Sequence, residues 1–164
     1  MKMKSRDIIE IIAAFAVAWI FYQGLVFATG TALPIVSVVS DSMYHGEDFD
    51  VWWEKHASYY DSNDIDKETF EQFILSNGVS KGDMLFVVHD EFLEVGDIAI
   101  YRKSPNDIAI VHRIVDIDQN KVILKGDRNI RFDDPILKEQ IEGKVVFGVP
   151  LLGYPRIFLN LFGI

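Results

Sequence analysis

The run DIAIVHRIVDIDQNKVILKGD, Asp107 to Asp127, reads as two β-strands around a short polar turn, Asp118-Gln119-Asn120. Ile108, Ile110, His112 and Ile114 fall on alternate positions, so a strand here puts them on one face. An imidazole among isoleucines is unusual; a structural histidine bonded to a carbonyl and a working one both fit that pattern. Further strands lie on either side. KGDMLFVVH (Lys81–His89) and VGDIAIYRK (Val95–Lys103) both carry Gly-Asp near their start, and GKVVFGV (Gly143–Val149) closes the series. Upstream, PIVSVV (Pro34–Val39) is rich in β-branched residues and delivers Ser40 and Ser42 at its end. Regular short strands separated by turn signals predict a mainly β protein, a small closed or coiled antiparallel domain.

Two segments break that pattern. Between Asp48 and Gly78 the chain is aromatic and charged, and DKETFEQFIL has the spacing of a short amphipathic helix. A mostly helical insertion on the β scaffold is predicted over about 48–78. At the N-terminus, IIEIIAAFAVAWIFYQGLVFA (Ile8–Ala28) is apolar on every face over 21 residues. As a helix rising about 1.5 Å per residue it covers roughly one hydrocarbon thickness. That exceeds the apolar region of a cleavable signal peptide, although Ala28-Thr29-Gly30 has the small residues of a cleavage site. Lys2, Lys4 and Arg6 precede it without a matching cationic cluster after it, which predicts a cytoplasmic N-terminus and an extracytoplasmic remainder. The predicted organisation is an anchor over 1–30, a β domain over 31–149 and an apolar tail over 150–164. That tail is broken by Pro150, Pro155 and Arg156 and is too short for a second span.

Composition narrows the chemistry. The 164 residues contain no cysteine, which excludes thiol nucleophiles, disulfides and thiolate metal sites. Net charge is −9, and outside residues 1–30 it is −10, from 13 basic and 23 acidic side chains. Such a domain repels phosphate backbones, so no nucleic-acid partner is expected. The carboxylates of KGDRNIRFDDP (Lys125–Pro135) lack the alternating ligands of a calcium loop. No metal or cofactor is predicted.

A serine nucleophile needs a base, and the base needs a partner to orient it. Of four histidines, His56 lies in the aromatic insertion and His89 at a strand end. His45 reaches Ser42 only by doubling back through Gly46, which leaves His112 as the other candidate base. Ser40-Asp41-Ser42-Met43 sits about a dozen residues past the apolar span, so any chemistry at Ser42 lies close to the bilayer.

These features in this order resemble signal peptidase I of the archaeal and endoplasmic-reticulum type. They are an anchor, Ser-x-Ser-Met, Gly-Asp strands, VHRI at Val111–Ile114, and KGDRN with a further aspartate six residues after Asp127. The resemblance covers nearly the whole chain outside the insertion. It implies a membrane-anchored serine endopeptidase that removes signal peptides from secreted preproteins after a small residue. Ser42 would be the nucleophile, His112 the general base and Asp133 the acid that orients it, with Asp134 as the alternative acid. Asp127 matches a second aspartate of the site. The Ser40 hydroxyl and the Ser42 main-chain N–H would hold the oxyanion. Bacterial relatives carry lysine where His112 stands. The implied partners are preproteins, the lipid bilayer and the secretion translocon or accessory subunits. The implied location is the cell membrane of the archaeal type rather than the endoplasmic reticulum. The chain departs from the resemblance at His45, where relatives usually have proline, and in the insertion just after it.

Two other readings fit the residues. A membrane-tethered binding module would recruit a partner through the aromatic VWWEKHASYY (Val51–Tyr60). A serine–lysine dyad would use Lys103 or Lys125 as base.

Overall fold

The computed structural model describes residues 4–104 and 106–160. Lys2 and residues 161–164 of the tail lie outside them. Helix α1 (Ser5–Thr29) has no buried residue, which sets it apart from the core helix of a soluble domain. At about 1.5 Å per residue its 25 residues reach roughly 37 Å, enough to cross a bilayer. It stops at Gly30, whose φ of 68° is left-handed and whose N–H caps the Val26 carbonyl.

Two hydrogen bonds stitch the anchor to the domain. The His89 N–H donates to the Thr29 carbonyl at 2.8 Å, and the Tyr22 hydroxyl donates to the Ala32 carbonyl at 2.9 Å.

The domain is one curled antiparallel sheet. Its strands are β1 (Ile35–Ser37), β2 (Met84–Val88), β3 (Ile98–Tyr101), β4 (Ile110–Asp118), β5 (Lys121–Lys125), β6 (Ile136–Leu137) and β7 (Ile141–Val149). They pair in the order β1-β2-β7-β3-β4-β5-β6. Register shifts fall at Phe86/Val87, Ile100/Tyr101 and Ile114/Asp116. Each unpaired residue bends its strand and adds twist, which curls the sheet without closing it. Two cores fill the curl. Met43, Leu85, Ile98 and Ile100 belong to one; Ala99, Tyr101, Ile114 and Leu124 belong to the other.

The predicted insertion is helical, though less so than expected. Helix α2 (Phe49–Asp61) begins at Asp48, whose side chain accepts from the Asp50 N–H. Helix α3 covers only Lys67–Glu71 of the expected amphipathic segment, and turns complete the rest. Trp52, Trp53, Tyr60, Ile65 and Phe70 pack with Val115 of β4 in a third core. The aromatic face thus points into the protein.

After β7 the chain returns to the start of β2. The Gly153 N–H donates to the Gly82 carbonyl at 2.8 Å, and helix α4 (Tyr154–Asn160) comes next with Phe158 and Leu159 exposed.

Candidate active site

Ser42 lies just beyond β1 in a turn built against a second turn after β5. The Arg128 N–H donates to the Ser42 carbonyl at 2.9 Å, and the Asp127 N–H points at the Met43 sulfur at 3.5 Å. Met43 is buried, which fixes the residue beside Ser42. The Ser40 and Ser42 hydroxyl oxygens are 3.2 Å apart, within hydrogen-bond reach.

His112 is the third residue of β4, opposite Ala99 of β3, whose small side chain leaves room for the ring. Its Nδ1 bonds Asp133 Oδ2 at 2.5 Å. Asp133 is brought there by its own N–H, which donates to the Leu124 carbonyl at 2.8 Å and lays the returning chain along β5. With Nδ1 facing the carboxylate, Nε2 is the ring nitrogen left to face the cleft.

Gly126 joins the serine and histidine sides. A methyl group on its Cα would come within 2.8 Å of both His112 Nε2 and the Ser42 carbonyl, and within 2.7 Å of Asn129 Nδ2. Only a residue without a side chain lets these three groups converge.

Behind this surface lies a fully buried ionic cluster. Asp127 Oδ1 accepts from Arg113 Nε and from the Tyr60 hydroxyl, both at 3.1 Å. Its Oδ2 accepts from Arg113 Nη2 at 2.8 Å and from His45 Nε2 at 3.1 Å. Burial alone would raise the Asp127 pKa, but Arg113 and His45 together hold it well below the usual carboxylate range. The Tyr60 phenol is pushed up, by burial first and then by the charge of Asp127. Arg113 also donates to the carbonyls of Ile74, Leu75 and Gly96, and lies 4.8 Å from the Phe70 ring centroid. Every hydrogen bond of the Asp127 side chain goes to Arg113, Tyr60 or His45.

The other sequence candidates fall elsewhere. The Asp134 side chain is 97% exposed and 3.9 Å from Lys103. Lys125 is buried, and its Nζ donates to the Tyr60 hydroxyl and to the Gly126 and Asp127 carbonyls. Burial, beyond the opposing pull of Asp127, lowers its pKa to about 8. Neither Lys103 nor Lys125 lines a cavity at Ser42. His56 bonds the Trp52 carbonyl through Nδ1.

The structure adds a residue that sequence pattern does not single out. Tyr101 of β3 is fully buried, its ring centroid 6.4 Å from that of His112. Burial, and after it the neighbouring Asp133 carboxylate, raises its pKa. An aromatic side chain in a β-run carries no sign of that neighbour.

Two cavities meet at Ser42. The first, about 400 Å³, lies between the Val36–Ser40 segment and the Ile108–His112 segment, and Ser42, Met43 and Asn129 complete it. The second, about 590 Å³, is bounded by Asp41, Ser42, Asp133 and the Arg128–Phe132 loop. A serine hydroxyl and a carboxylate-bound imidazole that line one cleft are groups suited to acyl transfer.

No protein-family model matches the chain. The chain is similar to the "Signal peptidase complex catalytic subunit SEC11" of Saccharomyces cerevisiae, in strains YJM789 and RM11-1a alike. Identity is 26% over 175 aligned residues, covering 98% of this chain and 86% of the relative. That span takes in the anchor, the insertion and the whole sheet.

Proposed function

We propose that the chain belongs to the signal peptidase I family in its endoplasmic-reticulum and archaeal form and is a membrane-anchored serine endopeptidase that removes signal peptides from preproteins. The observation that carries this reading is that Ser42 and His112 line one cleft, that Asp133 bonds the His112 ring, and that Gly126 lies close to both the Ser42 carbonyl and His112 Nε2.

In this mechanism Ser42 Oγ attacks the carbonyl carbon that follows a small side chain, and His112 Nε2 takes its proton. Asp133 holds the ring and stabilises the imidazolium. The Ser42 N–H and the Ser40 hydroxyl stabilise the oxyanion. Collapse breaks the C–N bond as His112 gives the proton to the leaving amine, and water then hydrolyses the acyl ester by the same route. Asp127 is a positioning residue here. It ties the turn bearing Gly126 to Arg113, the neighbour of His112, and to the insertion.

The preprotein adds as an extended strand in the first cleft. β1 is an edge strand, and the Ile110–His112 stretch of β4 has no β5 partner because that pairing begins at Arg113. Both offer free main-chain groups to a peptide. A cavity of about 550 Å³ shares Val36, Val39 and Ile108 with this cleft and extends it to Tyr22 of α1. A signal sequence still in lipid would enter along that line. Anchoring both partners raises their effective concentration.

We propose that the protein lies in the cell membrane, its N-terminus cytoplasmic and its sheet outside, from the charge of Lys4 and Arg6 at the start of α1. Accessory subunits are a further proposal, from the complex named for the relative. The test is to incubate the purified full chain in micelles with a preprotein and sequence the new N-terminus. Wild type should cut once after a small residue and Ser42→Ala not at all; equal cutting by both would reject the assignment.

A further inference from the structure

Ser42 stands on a divide between two unlike clefts. The cleft toward α1 is bounded mostly by apolar residues. The cleft on the other side carries two exposed guanidinium groups, Arg128 and Arg131. Neither makes an ion pair among the described residues, although the domain outside residues 1–30 has a net charge of −10. Arg128 instead lies 5.9 Å from the Tyr44 ring centroid. Of the two carboxylates on this cleft, Asp133 is engaged by His112, which leaves Asp41 against two cations. The base of the loop is fixed by the bonds from the Arg128 and Asn129 N–H groups to the Ser42 and Gly126 carbonyls.

The anchor sets the direction of the substrate. Residues before the scissile bond belong to a segment held in lipid, so they occupy the apolar cleft that reaches α1. Residues after the bond must leave across Ser42 into the basic cleft. At about 3.3 Å per extended residue, the first three or four of them lie within its reach.

We propose that this second cleft is the site for the start of the released chain, and that Arg128 and Arg131 make it prefer acidic side chains there. The inference rests on Ser42 being the nucleophile and adds the substrate class on the leaving side. Two cations without an ion-pair partner among the described residues, on an otherwise acidic surface, select for carboxylates and against lysine or arginine in the same positions.

The experiment uses the full chain in neutral detergent and one preprotein in three versions. These carry Asp, Ser or Lys at the second to fourth residues after the cleavage site and are otherwise identical. The readout is the ratio of kcat/KM values, in which any general loss of activity cancels. Exposed charge pairs give about two- to fivefold each, so the Asp-to-Lys ratio should be about tenfold at low salt. It should fall toward one at high salt, where exposed charges are screened. In Arg128→Glu/Arg131→Glu the ratio should invert. Equal cleavage of the three versions by wild type would overturn this inference alone, as would a ratio unchanged by the double reversal. Cleavage of none would overturn the protease reading, and this inference with it.

Discussion

His45 lies flat on Trp52, with ring centroids 3.6 Å apart and planes 3° from parallel. The same imidazole reaches Asp127 through Nε2, so it carries its proton there, and its Nδ1 has no partner among the described residues. The insertion is therefore joined to the sheet through the stack on His45, the bonds of Tyr60 with Asp127 and Lys125, and those from Arg113 to the Ile74 and Leu75 carbonyls. Tyr60→Phe would leave Asp127 Oδ1 with Arg113 alone. The expected cost is about 1–3 kcal/mol, read from the denaturant midpoint of the full chain. An unchanged midpoint would mean that the bond does not contribute.

Asp133 and Asp134 are neighbours with opposite surroundings, one bonded to His112 and one almost wholly in solvent. Asp133→Asn should reduce kcat by about 10³–10⁴ by disturbing the tautomer of His112, with a much smaller change in KM. Asp134→Asn should stay within about twofold of wild type. Steady-state cleavage of one preprotein compares them, and the reverse order would move the orienting role to Asp134.

Ser40 and Gly126 test the geometry around Ser42, the proposed nucleophile. Ser40→Ala removes the proposed oxyanion donor and should slow kcat by about 10²–10³. Gly126→Ala places a methyl group within 2.8 Å of His112 Nε2 and the Ser42 carbonyl. It should abolish turnover while circular dichroism stays that of the wild type. Substantial turnover in Gly126→Ala would show that Ser42 and His112 do not need this close approach.

Lys125 gives a pH signature. Its pKa is lowered to about 8 in the folded state, against roughly 10.4 in an unfolded chain. Between these values the unfolded chain holds the proton and the folded chain does not. Its contribution to stability therefore rises with pH across that window. Lys125→Met has no such proton, so the melting temperature of wild type relative to the variant should climb from pH 8 toward 10. A flat difference would mean that Lys125 keeps its charge when buried.

The sheet is legible in the sequence because a strand's side-chain period of two survives in one dimension. Ile110 to Ile114 and Val122 to Leu124 announce their faces, and the structure places β4 and β5 there; Ile108, expected on the same face, falls before β4 and is exposed. β6 is not legible. It is two residues long, comes directly after Pro135, and exists because Ile136 finds Val122 across the sheet. The histidine at position 112 can be singled out by pattern, but its bond to Asp133 depends on a loop returning along β5. His45 stands so close to Ser42 in the chain that its position says little about its role. Its partners, Trp52 and Asp127, are joined only when the insertion folds down, and no local spacing records that. Arg113 is hidden in the same way. It looks like an ordinary strand cation, yet it is fully buried because Asp127 and three carbonyls satisfy its donors.

The bond between Thr29 and His89, with the Tyr22 hydroxyl on Ala32 beside it, has a mechanical meaning. It ties the end of the apolar helix to the sheet at two points, so the height of the Ser42 turn above the lipid is set by the protein itself. Under the proposed function, a secreted chain would be trimmed where its length brings it level with that turn, and the fold would measure as well as cut.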